Sequence, residues 1–168
     1  MKRRYRTRAF YNLNTARSVG VLFNASTQEV YKTAKHFIAE LHEMGLDVSG
    51  LGYVKNRDFM NYLPFYQGIE SFTLEDVNWY YFPDDTNAEE FMHAEFDILI
   101  DLSNERHLAL EFISGLSPAH LKVGKDQPRS RFYDLTFALK QEKSVEEIIN
   151  LIKHYFQVLK SPKELVMN

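Results

Sequence analysis

Two short apolar runs constrain this chain more than anything else in it: Ser18–Asn24 (SVGVLFN) and Phe96–Leu102 (FDILIDL). Each is apolar on both faces, so each suits a strand covered above and below, as central strands of a parallel sheet are. The first run leads into a recognisable unit. Ser26-Thr-Gln-Glu29 has capping-box spacing, which predicts a helix start there. Val30, Ala34, Phe37, Ile38 and Leu41 then fall at steps of three and four, on one helical face. Gly45 closes the helix after about Met44, and Asp47–Val54 (DVSGLGYV) reads as a second strand. A strand–helix–strand of this length is most simply a right-handed parallel crossover.

The alternation continues. A helical turn over residues 56–63 ends at Pro64, and Gly68–Phe72 reads as a third strand. Thr73–Asp76 looks like a helix start, and Asn87 caps a short helix reaching about Ala94. After the Phe96–Leu102 strand, Asn104 is the expected cap of a helix carrying Leu108, Phe112 and Ile113 to Gly115. Ala119–Gly124 and a strand within Tyr133–Leu139 complete the set. Ser144-Val-Glu-Glu147 opens a final helix with an apolar stripe from Ile148 to Leu159, stopped by Pro162. The expected fold is α/β, a three-layer Rossmann-like sandwich of five to six mostly parallel strands. Its core spans residues 18–160, between a basic arm (1–17) and a C-terminal tail (161–168). With 168 residues, 45% of them hydrophobic, one core is the expectation. The chain has no Cys, hence no disulfide framework or thiolate chemistry. It also has no 18-residue apolar run and no secretory h-region, so no membrane contact is expected and the cytoplasm is the expected compartment.

The net charge of −3 hides a split: residues 1–28 carry +6 and residues 29–168 carry −9. Lys2, Arg3, Arg4, Arg6 and Arg8 interleave with Phe10 and Tyr11, a mixture suited to pairing phosphates and stacking bases. The plainer alternative is a solvated tail, or one folded back on the acidic body.

Signature phosphate loops and nucleophile motifs are missing, and the six His are scattered, so neither a cofactor nor a metal site is expected. In open parallel sheets, ligands sit past the carboxyl ends of the strands. That rule selects Asn24, Ser26 and Thr27 after the first strand, and Asp101, Ser103 and Asn104 after the Phe96–Leu102 strand. Small polar groups at a helix N-terminus favour an anion. They also serve simply as caps, and no acid–base pair can be assigned among them. Trp79, Tyr80, Tyr81 and Phe82 form a dense aromatic run. Exposed, it would be a partner or homodimer interface; buried, the commoner fate, it would cover a sheet edge.

Phe10–Leu13 leading into Ser18–Asn24, Leu51–Val54, Asp76–Trp79, Phe96–Ser103, Leu121–Gly124 and Tyr133–Leu135 together resemble a family of small, functionally uncharacterised proteins of Bacteroidota type. The resemblance covers nearly the whole chain. It implies a bacterial cytosolic protein and carries over no catalytic residue. More distantly, Asp101-Leu-Ser, the following helix with Gly115, and Leu121–Gly124 are similar to the N-terminal Rossmann-like half of heptosyltransferase-type glycosyltransferases. Such enzymes need a second, nucleotide-sugar-binding half, so a free-standing transferase is not expected. Binding is expected ahead of catalysis. The leading reading is an accessory protein docking on an RNA-containing or protein assembly through the arm. The alternative is a small-anion-binding or enzymatic domain using the crevice.

Overall fold

A computed structural model describes residues 6–128, 131–139 and 142–160. Six strands form one sheet: β1 (Ser18–Ala25), β2 (Asp47–Val54), β3 (Ile69–Phe72), β4 (Ile98–Asp101), β5 (Leu121–Lys125) and β6 (Leu135–Phe137). Their order is β3-β2-β1-β4-β5-β6, and every pairing is parallel. This is the doubly wound Rossmann order. β1 and β4 are central neighbours, as their two-sided apolarity requires.

Among the described residues five α-helices cover the sheet: α1 (Gln28–Glu43), α2 (Arg57–Asn61), α3 (Thr86–His93), α4 (Leu108–Leu116) and α5 (Val145–Val158). The two faces have separate cores. Val19, Val21 and Phe23 of β1 pack with Phe37, Ile38 and Leu41 of α1 and Ile148 and Ile152 of α5. Leu22, Leu51 and Leu99 pack with Met92 of α3 and Leu110 and Ile113 of α4. Alternation along β1 sends successive side chains to opposite faces, and both are apolar because both are covered. Gly20 is small for a reason: a Cβ there would lie 2.7 Å from the Phe96 ring. Gly45 ends α1 at φ 85°, a left-handed position that favours glycine.

Three caps move from their expected places. β1 stays paired through Ala25 with Val54, so the extended residue before α1 is Thr27, whose hydroxyl accepts from the Val30 amide, 3.2 Å away. Ser26 is not the cap. Asn104 does not start α4 either. Its side chain donates instead to the Lys143 carbonyl, 3.3 Å away, and the helix begins at Leu108 after an uncapped His107. Asp85, not Asn87, caps α3. At α5 the capping box of Ser144 and Glu147 forms as expected.

The segment from Arg6 to Arg17 lies against the domain. Arg6 pairs with Asp134 and donates to the carbonyl of His120, 3.0 Å away. Thr7 O lies 2.8 Å from His120 Nδ1. Phe10, Tyr11 and Leu13 pack on the α1/α5 core. Buried Asn12 donates through Nδ2 to Leu159 O at 3.1 Å. No helix among the described residues is long and apolar enough to cross a membrane.

Candidate functional site

β1 and β4 part company at their carboxyl ends. The Leu102 amide still donates to Leu22 O, 2.8 Å away. Beyond that bond, β1 turns into α1 on one face and β4 leads to α4 on the other. This is the switch point, where a crevice must open because the two connections leave in opposite directions. Register sets Asn24 beside Tyr53 of β2, and Leu22 beside Asp101.

The sequence-selected residues divide into three roles. Asn24 is half-buried and Ser26 exposed, both at the carboxyl end of β1. Thr27 is committed to its cap. Asp101 is buried and turned away into the fold: Oδ1 accepts from the Ser103 amide at 2.9 Å, while Oδ2 accepts from the Ser114 hydroxyl at 3.3 Å and from the Tyr133 hydroxyl. Burial pushes the Asp101 carboxyl above its usual range, against the nearby Ser103 hydroxyl and the hydrogen bonds from the Tyr133 hydroxyl, the Ser103 amide and the Ser114 hydroxyl. Burial and the facing Asp101 carboxylate push the Tyr133 phenol up as well. Asp101 is thus the acceptor of an internal network, fully engaged and closed to a ligand. Asn104 ties the loop down: its carbonyl accepts from Lys125 Nζ at 2.7 Å, which brings a cation beside the crevice.

Ser103 differs from the others. It is 6% exposed, and its hydroxyl has no hydrogen-bond partner among the described residues. It lies close enough to Asp101 to favour the charged carboxylate, yet makes no bond of proper geometry. The second such atom is Nδ1 of His107, also buried and unpartnered. The His107 ring sits against Tyr53, with centroids 3.9 Å apart. Burial lowers its pKa, partly opposed by Glu111, so the imidazole is held neutral. Two orphaned polar atoms at one switch point are uncommon, since buried polar groups are nearly always paired. Sequence reading missed Tyr53, His107, Ser114 and Tyr133. Only His107, immediately before the apolar start of α4, carried a local signal.

Of the arm residues, Lys2, Arg3 and Arg4 lie outside the described residues. Arg6 is occupied by Asp134, and Arg8 reaches the same carboxylate at 3.5 Å. Phe10 and Tyr11 are half-buried against the core. The described part of the arm therefore offers little for stacking on bases, and a docking role through it finds no support.

The aromatic run is not a buried edge cover. Phe82 packs on the α3/α4 core, but Trp79 is 91% and Tyr80 77% exposed. Surface grooves elsewhere include one of about 490 Å³ between α1 and α5, where Glu40 and Lys153 are already paired.

The chain belongs to a family of unknown function, DUF6913, whose model matches residues 1–159. No curated protein matches it. Two solved structures of E. coli heptosyltransferase WaaC are similar in shape. One, with ADP-2-deoxy-2-fluoro heptose, has a TM-score of 0.48 and 15% identity, covering 85% of this chain and 50% of that one. The other, with ADP, has a TM-score of 0.44 and 13% identity, covering 85% and 48%. The chain spans about half the length of these structures.

Proposed function

We propose that this domain binds a small anionic ligand at the carboxyl ends of β1 and β4, against Asn24, Ser26, Ser103 and His107. The observation that carries this reading is the pair of buried, unpartnered atoms, Ser103 Oγ and His107 Nδ1, at the switch point. A ligand there satisfies groups that otherwise cost the fold about 1–3 kcal/mol each. The charge of the ligand follows from its surroundings. The 16-residue helix α1 begins just past the carboxyl end of β1, and helix N-termini favour negative groups. Lys125 is held beside Asn104. A neutral His107 can donate from Nδ1 without bringing a permanent charge.

The test is a thermal-shift screen with nucleotides, sugar phosphates and sulfate at millimolar concentration. A ligand at ten times its Kd adds about 1.4 kcal/mol, or about 3–6 °C for a domain of this size. The expected result is a shift of that order for at least one anion, lost in Ser103→Ala and in His107→Phe, which keeps a ring against Tyr53. No shift with any anion, or a shift that both variants retain, overturns the reading.

A further inference from the structure

Trp79 and Tyr80 stand on a braced support. Val77 and Pro83 form an antiparallel bridge, and the Asn78 amide donates to Phe82 O at 2.8 Å. The Asn78 side chain accepts from the amides of Tyr80, at 2.9 Å, and Phe82, at 3.2 Å. Tyr81 is held at φ 61° without being glycine, a conformation that costs energy and persists only where surroundings enforce it. The result is a fixed hairpin tip displaying two large rings to water, where a buried cluster would have been the stable default.

The sequence around this tip is acidic. From Asp58 to Glu105 the sequence holds twelve acids and not one Lys or Arg. Glu75, Asp76, Asp84 and Asp85 flank the tip directly in sequence. The preceding base, Arg57, is bound by Glu75 at 2.8 Å and Asp76 at 2.6 Å. Aromatic faces with carboxylates beside them attract guanidinium and ammonium groups, through the ring quadrupole and ordinary Coulomb attraction. The same field repels a phosphate backbone.

We infer that the Trp79–Tyr80 hairpin is a docking site for an extended arginine- and lysine-rich segment of a partner protein. The rings supply the flat surfaces and exposed Asp84 supplies the charge, with Glu75 and Asp76 beside it in their pairing with Arg57 and Asp85 capping α3. This inference does not rest on the anion-binding reading.

Trp79 is the only tryptophan in the chain, so its emission reports on the site directly. The experiment titrates the full chain with an octa-arginine peptide at low and moderate salt. Octaglutamate and oligouridylate serve as comparison probes. The expected outcome is a saturable change in Trp79 emission with octa-arginine only, weakened by salt. Tyr80→Ala and Asp84→Asn, followed through labelled-peptide anisotropy, should each weaken binding roughly two- to fivefold. Unchanged thermal midpoints would show that both variants are folded. Glu43→Gln, an exposed acid in the last turn of α1, should leave affinity unaltered. Equal weakening by Glu43→Gln would mean general charge attraction and overturn the inference. Preference for oligouridylate, a silent Trp79, or self-association of the protein through the tip would overturn it as well.

Discussion

Thr27 shows how one residue decides where a helix begins. Its hydroxyl takes the Val30 amide while the neighbouring Ser26 stays in water. An N-cap is worth about 0.5–2 kcal/mol, whereas an exposed residue outside such a bond is worth a few tenths. Thr27→Ala should therefore lower stability to urea by about 1 kcal/mol, and Ser26→Ala should fall within about 0.5 kcal/mol of the parent. The reverse order would restore Ser26 as the cap. The sequence pointed to Ser26, because Glu29 three residues on completes a capping box and Val30 does not. What decided between them was the length of β1, whose pairing with β2 runs through Ala25. Asp101 was legible as a polar residue at the end of a central strand. Its partners were not: Tyr133 and Ser114 lie 32 and 13 residues away in the chain, and no local pattern links them.

Among the elements, strands β1 and β4 were readable as runs apolar on both faces, and helices α1 and α5 because each carries a clear period. α4 was readable in its body but not at its start. The loop from Ser103 to His107 answers to Lys143 and Lys125, at the edges of other elements. The far end of α4 depends on a neighbour too. Lys122 of β5 is 1% exposed, and its ammonium donates to Ser114 O at 2.6 Å and Gly115 O at 3.0 Å, carbonyls of the last helical turn. Such carbonyls have no partner within the helix. Burial, with Arg6 adding to it, lowers the Lys122 pKa to about 7. The folded value is below the unfolded one, so the unfolded state binds the extra proton across that range. Stability should then rise as pH goes from about 7 towards 10. Lys122→Met removes this contribution. Urea titrations of both proteins at pH 7 and pH 9.5 should show the parent gaining more than the variant. A parent that gains less would mean that the two carbonyls hold the proton more strongly than burial expels it.

On the scale of the whole molecule, Asp134 gathers what the sequence keeps far apart. It accepts from the Lys122 amide at 2.8 Å and pairs with Arg6, bringing the loop before β6 together with the first described residue. An arm made mostly for solvent or for nucleic acid would be removable at little cost. This one should not be: hydrogen bonds to charged groups contribute about 1.5–3 kcal/mol. Deleting residues 1–9 should lower the thermal midpoint by about 4–8 °C, taking about 2 kcal/mol as the loss. An unchanged midpoint would mean that the pairing is merely superficial. The clasp also has a temporal meaning. It joins positions 128 residues apart, and closing so long a loop is costly until β5 and β6 have brought its ends together. It belongs on the native side of the folding barrier, so its loss should fall on escape from the native state and not on arrival. In stopped-flow experiments the truncated chain should refold at the parent's rate and unfold roughly thirtyfold faster, making Arg6 and its neighbours the latch that sets how long the folded protein lasts.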